Sequence, residues 1–95
     1  MANFELSELA KIDLQDIFKY GVAQWGLRQA ETYYNALFDH LEIIAADPYR
    51  YPAVEHIKTD CHRSVFRSHA IYFQIDGDDV LIIGIIRSQD PARLR

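Results

Sequence analysis

Arginine side chains are the groups in this sequence that are best placed to do chemistry. The first 47 residues hold three basic and eight acidic residues, whereas residues 48–95 hold seven basic and six acidic ones. Arg63 and Arg67 are four positions apart in a predicted strand, so both side chains project from the same face. Arg87 ends the last predicted strand. If these strands are neighbours, the three guanidinium groups gather on the sheet face that no helix covers, with His69 nearby.

Two interpretations of this cluster are open. The charges can be solvated at the edge of the sheet, with one salt bridge to Asp60 or Asp90 that contributes little to stability. Alternatively, they form a site for an anion or an acidic partner, because guanidinium groups bind carboxylates and phosphates through paired hydrogen bonds.

The other residue types that carry chemistry predict no catalytic or metal site and no cofactor. The four histidines lack the spacing of a zinc site, and one cysteine cannot complete a thiolate set. Cys61 and His62 are neighbours in a predicted strand, where their side chains point to opposite faces, so they cannot act together as nucleophile and base. Cys61 is therefore predicted to be a small core residue. The four glycines are isolated, so there is no phosphate-binding loop.

Length and composition predict one small globular domain over residues 1–95. The chain has a mass of 11.1 kDa and is 49% hydrophobic and 25% charged, which is typical of a folded domain. Its net charge of −4 does not favour nucleic acid as a ligand for the whole molecule. A single cysteine suits a reducing compartment, and there is no signal peptide or apolar run long enough to span a bilayer. We expect a cytoplasmic protein with no membrane partner.

The first half of the chain predicts a short strand and two helices. Phe4 and Leu6 alternate with polar residues, and Ser7 is placed to cap a helix over residues 8–24 that ends at Trp25-Gly26. A second helix is predicted from the apolar stripe between Ala30 and Ala45, and it ends at Asp47-Pro48. The short break at Gly26 requires the two helices to form an antiparallel hairpin.

The second half predicts strands. Residues 48–60 form a loop, followed by strands over residues 61–67, 70–75 and 80–86, with a hairpin turn at Asp76-Gly77. Residues 80–86 are apolar throughout, as expected of a central strand. The predicted fold is α+β, in the order β-α-α-β-β-β, with the helical hairpin on one face of a small, mainly antiparallel sheet.

Apolar residues of the helices predict an interaction groove. The stripe is wider than one sheet face should cover, and large apolar residues at the edge of a small domain often mark a binding surface. The alternative is that the second helix buries more of its circumference. The groove candidates are Leu14, Phe18, Trp25, Tyr34 and Phe38.

An ordered set of residues across almost the whole chain resembles the ParE toxins of bacterial toxin–antitoxin modules. The residues that carry the resemblance are Leu6-Ser7, Ala10, Asp13-Leu14, Ile17, Tyr20, Trp25-Gly26, Ala30, Tyr33, Leu37, Ala45, Asp47-Pro48, Arg63, the segment from Ser68 to Phe73 and the final Val-Leu-Ile-Ile strand. The resemblance implies the RelE/ParE fold. Many relatives end the last strand with a histidine, where this chain has Arg87.

The resemblance also implies a function and two partners. It implies a protein that inhibits DNA gyrase and is neutralised by a ParD-like antitoxin, whose ribbon-helix-helix domain binds operator DNA, so that the toxin meets DNA only indirectly. An apolar groove suits the wrapping antitoxin segment. The candidate gyrase-binding residues are then Arg63, Arg67, His69, Arg87 and Arg93.

The runner-up is an enzyme, because RelE-type relatives with the same fold cleave messenger RNA on the ribosome. In that case the arginines would stabilise the charged phosphorane. Two features count against it. The net charge of −4 does not favour docking to a polyanion, and residues 87–95 contain no histidine, tyrosine, glutamate or lysine to serve as a base. An inactive relative that only completes a repressor complex is a third possibility.

Overall fold

The chain folds as a helical hairpin on one face of a four-stranded sheet. The computed structural model describes residues 3–87, with the backbone alone at Arg87, and the candidate Arg93 lies outside the described residues. The elements are β1 (Asn3–Leu6), α1 (Glu8–Trp25), α2 (Leu27–Ala46), β2 (Cys61–Phe66), β3 (His69–Asp76) and β4 (Asp79–Arg87), with a 3-10 turn over Pro48–Arg50. The α+β class and the predicted order of elements are confirmed.

The sheet has the order β1-β4-β3-β2, in which β1 is parallel to β4 and the other pairs are antiparallel. β4 therefore lies inside the sheet, as its continuous apolar sequence predicts. β1 is one edge. At the other edge, Ala53 forms a bridge with His62 of β2, so part of the predicted loop covers that strand.

Local signals set the ends of the helices. The Ser7 hydroxyl accepts a hydrogen bond of 3.0 Å from the Ala10 N–H and so caps α1 as predicted. Gly26 is the one residue between the helices, and its φ of +88° lies in the region that favours glycine. A break of one residue turns α2 back along α1, which confirms the predicted hairpin.

Two apolar clusters lie on opposite faces of the sheet. The larger one fills the space between the helices and the sheet, and it includes Leu14, Leu37, Leu41, Phe73 and Ile82. The smaller one lies on the other face, where Val54 and Ile57 of the loop pack against Cys61, Tyr72, Ile83 and Ile86. The face without helices is thus largely apolar and partly covered by a loop.

A bulge in β4 places isoleucine side chains of this strand in both clusters. The register of β3 with β4 shifts between Tyr72, which pairs with Gly84, and Phe73, which pairs with Ile82. An extra residue in one strand changes which face the following side chains occupy. Ile82 and Ile85 therefore both belong to the helix-side cluster, whereas Ile83 and Ile86 belong to the other.

One strand boundary changes the predicted arginine cluster. β2 ends at Phe66, so Arg67 lies in the turn before β3 and not in the strand. Arg63 and Arg67 therefore do not share a strand face, and the prediction that they gather on the uncovered face is wrong. The physical reason is that a tight turn changes the direction of the chain, so period-two alternation stops at Phe66.

Candidate functional site

Arg67 occupies a strained backbone position in the turn between β2 and β3. Its φ of +55° is in the left-handed region, which costs a residue other than glycine about 1–3 kcal/mol. The guanidinium carbon lies 4.9 Å from the centroid of the Phe66 ring and 5.4 Å from that of Tyr33. These contacts, with the positive group over ring faces, hold the Arg67 side chain against the helix side of the sheet.

Tyr33 of α2 connects this turn to β3. Its hydroxyl lies 2.7 Å from Nδ1 of His69, with the Ser68 side chain nearby. Burial raises the pKa of Tyr33, although Ser68 and the positive charge of Arg67 act in the opposite direction. The phenol therefore remains protonated at neutral pH, and it can donate to His69. We did not predict this pair from the sequence, in which the two residues are 36 positions apart.

Trp25 lies beside this network at the end of α1. Its indole packs against Tyr20 and Tyr33, with ring centroids 6.1 and 6.0 Å away. Gly21 makes room for it, because a Cβ at Gly21 would come within 3.3 Å of the indole and 3.2 Å of the Ala30 Cβ. The indole is thus held by its neighbours while 46% of the Trp25 surface stays exposed. A rigid, exposed tryptophan is typical of the anchor residues of protein interfaces.

Two cavities meet at Trp25 and Ser68, and their charges differ. One, of about 340 Å³, lies on the α1 side and is lined by Asp13, Asp16, Ile17, Tyr20, Trp25, Ser68, His69, Ile85 and Ile86. The other, of about 430 Å³, lies on the α2 side and is lined by Trp25, Gln29, Thr32, Tyr33, Arg67 and Ser68. The second cavity has a guanidinium group and no carboxylate. We call Trp25, Tyr33, Arg67, Ser68 and His69 the Arg67 site.

The other predicted target-binding residues are distributed around the sheet. Arg63 lies on the face without helices, where its Nε donates to the Tyr72 hydroxyl at 3.2 Å. Arg87 pairs with His69 in the register of β4 and β3, so its backbone is next to the Arg67 site. The structure thus brings Arg67 and His69 together with the backbone of Arg87, and separates them from Arg63.

The predicted groove residues divide in a similar way. Three of them join Phe4 in a continuous series of ring contacts that we call the aromatic row: Phe4–Phe38 at 6.3 Å, Phe38–Tyr34 at 5.0 Å and Tyr34–Phe18 at 5.4 Å. All four rings are half-buried. Phe4 belongs to β1, which is an edge strand. On its outer side, the backbone N–H and C=O groups of β1 pair with no other strand of residues 3–87, and the aromatic row lies next to them.

Two groove candidates do not belong to this row. Leu14 is only 2% exposed and is part of the main core, so its assignment to a binding groove is wrong. Its position on the inner side of α1 faces the sheet, which the helical period alone did not distinguish from the groove side. Trp25 contacts Tyr20 and Tyr33 and belongs to the Arg67 site.

The remaining histidine and cysteine side chains have structural surroundings. His40 donates to or accepts from the Ser64 hydroxyl at 2.8 Å, and burial lowers the pKa of its imidazole. Cys61 is buried in the smaller cluster, as predicted, and burial raises the pKa of its thiol. His62 stacks on Phe73 on the opposite face of the sheet. Residues 3–87 contain no group of three His, Cys, Asp or Glu side chains that could hold a metal ion.

The geometry defines a small α+β protein with two candidate binding surfaces, one aromatic and half-buried and one built around a stacked arginine. None of the helices in residues 3–87 is long and apolar enough to cross a membrane. Residues 4–91 match the family described as the ParE toxin of the type II toxin–antitoxin system parDE. The chain belongs to this family of toxins.

A curated relative agrees with this assignment, and two solved structures share the fold. The chain is 32% identical to Toxin ParE1 of Caulobacter vibrioides over 93 residues, which cover 98% of this chain and 96% of that protein. Its fold resembles the chromosomal ParDE toxin–antitoxin system of P. aeruginosa, with a TM-score of 0.78, 15% identity and coverage of 92% and 96% of the two chains. It also resembles the intact RelBE toxin–antitoxin complex of E. coli, with a TM-score of 0.58, 16% identity and coverage of 95% and 100%.

Proposed function

We propose that this protein arrests growth by binding DNA gyrase directly in the cytoplasm, and that a ParD-like antitoxin neutralises it. The proposal is supported by membership of the ParE toxin family over residues 4–91. The structural observation that carries it is the separation of two surfaces. Within residues 3–87, no ring contact joins the aromatic row to the rings around Trp25 and Tyr33. A toxin with two separate surfaces can bind its target through one of them and its inhibitor through the other.

The aromatic row is the proposed antitoxin site. Its rings are half-buried, so an amphipathic helix or a strand added at β1 would remove further apolar surface from water. Such an antitoxin would carry the ribbon-helix-helix domain that binds operator DNA, and the toxin would reach DNA only through it. Purified toxin alone is then expected to leave operator DNA unbound.

The Arg67 site is the proposed gyrase contact, together with the remaining candidates Arg63, Arg87 and Arg93. The function requires binding and no bond-making chemistry by the toxin. The test is a supercoiling assay with toxin released from its antitoxin complex. We expect the toxin to stop supercoiling or to cause cleaved DNA to accumulate. Adding antitoxin should restore the supercoiling activity of gyrase. Full supercoiling at saturating toxin would reject gyrase as the target.

One observation favours the RelE-like messenger RNA endoribonuclease as the second candidate. The Tyr33 hydroxyl and His69 are hydrogen bonded at 2.7 Å beside Arg67, which places an acid–base pair next to a group that can bind phosphate. Ribosome-bound message incubated with the toxin distinguishes the two functions. Cleavage at defined codons would support the enzyme, whereas intact message together with inhibited gyrase supports the contact inhibitor.

A further inference from the structure

We propose that Arg67 and Trp25 form a recognition pocket for an acidic side chain of the toxin's protein target, with an apolar neighbour of that side chain packed on the indole. This inference rests on the proposed function in one respect, which is that the arrest of growth requires a protein target. It assigns Trp25 to target recognition and removes it from the antitoxin groove.

The cavity itself is suited to a carboxylate. It is an open cavity of about 430 Å³, large enough for an acidic side chain and its neighbour, and Arg67 is the charged residue in its lining. Within residues 3–87, Arg67 forms no ion pair with a carboxylate. A guanidinium group binds a carboxylate through two parallel hydrogen bonds. The cavity therefore holds a positive charge, and its lining contains no carboxylate to pair with it.

The arginine is held in position before the partner arrives. The Phe66 and Tyr33 rings support its guanidinium, and Tyr33 is fixed in turn by the 2.7 Å hydrogen bond to His69. A flexible arginine would lose side-chain freedom on binding, whereas a stacked one loses less. The left-handed backbone at Arg67, an uncommon conformation for arginine, directs the side chain into this position.

The surrounding charges favour an acidic partner. Residues 17–30 contain Lys19 and Arg28 but no aspartate or glutamate, although the whole chain has 14 acidic residues. This segment also holds four of the exposed large apolar residues, which are Tyr20, Val22, Trp25 and Leu27. Between the flanking carboxylates of Asp16 and Glu31, the end of the helical hairpin is thus basic and apolar.

A protein carboxylate fits these features better than a nucleic acid phosphate. The net charge of −4 repels a polyanion over the length of a duplex, whereas a single acidic side chain meets only the local basic surface. The exposed indole is suited to an apolar side chain beside the carboxylate, since large aromatic residues in interfaces pack in desolvated contacts.

The experiment compares matched variants of the full-length toxin, produced with its antitoxin. Arg67→Ala and Trp25→Ala test the pocket. Arg50→Ala is the control for arginine, because Arg50 is exposed and also lies over a tyrosine ring. Its guanidinium carbon is 5.9 Å from the centroid of the Tyr51 ring. Tyr49→Ala is the control for an exposed aromatic residue.

Three quantities are measured for each variant: growth arrest on induction, affinity for the antitoxin, and affinity for purified gyrase. We expect Arg67→Ala and Trp25→Ala to weaken target binding by about ten- to a hundredfold and to relieve growth arrest, while antitoxin affinity stays within about twofold. Arg67→Lys should restore only part of the binding, because lysine lacks the planar fork. Both control variants should arrest growth like the wild type.

The outcomes separate this inference from the proposed function. If wild-type toxin arrests growth without binding gyrase, the gyrase proposal fails, and growth arrest by the variants still tests the pocket. Undiminished arrest by both pocket variants would overturn the inference, as would a parallel loss of antitoxin binding. The inference would also be overturned if the toxin bound duplex DNA in the absence of gyrase, in a salt-sensitive way, and Arg67→Ala abolished that binding. The ligand of Arg67 would then be a phosphate.

Discussion

The carboxylate of Asp13 accepts a hydrogen bond of 3.0 Å from the backbone N–H of Ile85, which joins α1 to the last strand. β1 ends at Leu6, which pairs with Ile82, so beyond that point no other strand of residues 3–87 pairs with the outer side of β4. Ser7 donates to the Ile83 carbonyl at 3.1 Å, and Asp13 binds the next free amide. Side chains at the start of α1 therefore take the place of a longer β1.

We predict that Asp13→Ala lowers the free energy of unfolding by about 1–3 kcal/mol, because it leaves the buried Ile85 N–H without its acceptor. Asp13→Asn keeps an acceptor oxygen and should have a smaller effect. Urea denaturation of the purified protein measures both. Asp16→Ala, at an exposed position one turn further on, is the control. An equal effect of Asp13→Ala and Asp16→Ala would contradict a structural role for this hydrogen bond.

The aromatic row makes a prediction about the antitoxin. Phe18→Asp places a charge among half-buried rings, so it should weaken antitoxin binding at least about tenfold, because burying an unpaired charge is costly. Ile12→Asp is the matched control, since Ile12 is 52% exposed on the same helix. Titration calorimetry with the purified antitoxin measures the difference. If the two variants bind equally well, the antitoxin site lies elsewhere.

Gly21 permits both the close approach of the helices and the position of Trp25. Glycine to alanine in a helix usually increases stability by about 1 kcal/mol. Here the added Cβ would lie 3.2 Å from the Ala30 Cβ, which cannot move without its helix. We therefore expect Gly21→Ala to destabilise the protein and to change the tryptophan emission spectrum. Gln24→Ala, at an exposed position of α1, should leave both unchanged, and a stabilised Gly21→Ala protein would show that the helices adjust freely.

Because His40 is partly buried, we predict that the stability of the protein depends on pH. Burial lowers the pKa of His40 below the value of about 6.5 in the unfolded chain, so the unfolded state takes up the proton first as the pH falls. Its contribution to stability is therefore complete above about pH 6.5, and it decreases below that value until the folded imidazole is also protonated.

The measurement compares urea midpoints at pH 7.5 and pH 5.5 for wild type and His40→Gln. The variant should lose less stability on acidification than the wild type does. His56→Gln, at an exposed position in the loop, is the control and should follow the wild type. An identical acid response of wild type and His40→Gln would show that His40 does not cause it.

The sequence alone determined the elements and their order, because the signals for them are local. Apolar periodicity predicted both helices, Ser7 and Gly26 marked their limits, and the continuous apolar run identified β4 as the interior strand. The same periodicity placed Leu14 in a groove, since it shows that a residue lies on the apolar side of a helix but not how deeply the sheet covers it.

The tertiary structure decided which functional groups meet. Period-two alternation predicted that Arg67 would accompany Arg63, but the strand ends one residue earlier, and the turn brings Arg67 to the rings of Tyr33 and Phe66 on the other side of the sheet. Contacts such as Tyr33 with His69 and Asp13 with Ile85 join residues 36 and 72 positions apart. They depend on the register of the strands and the packing of the hairpin, and these properties arise only when the distant elements assemble.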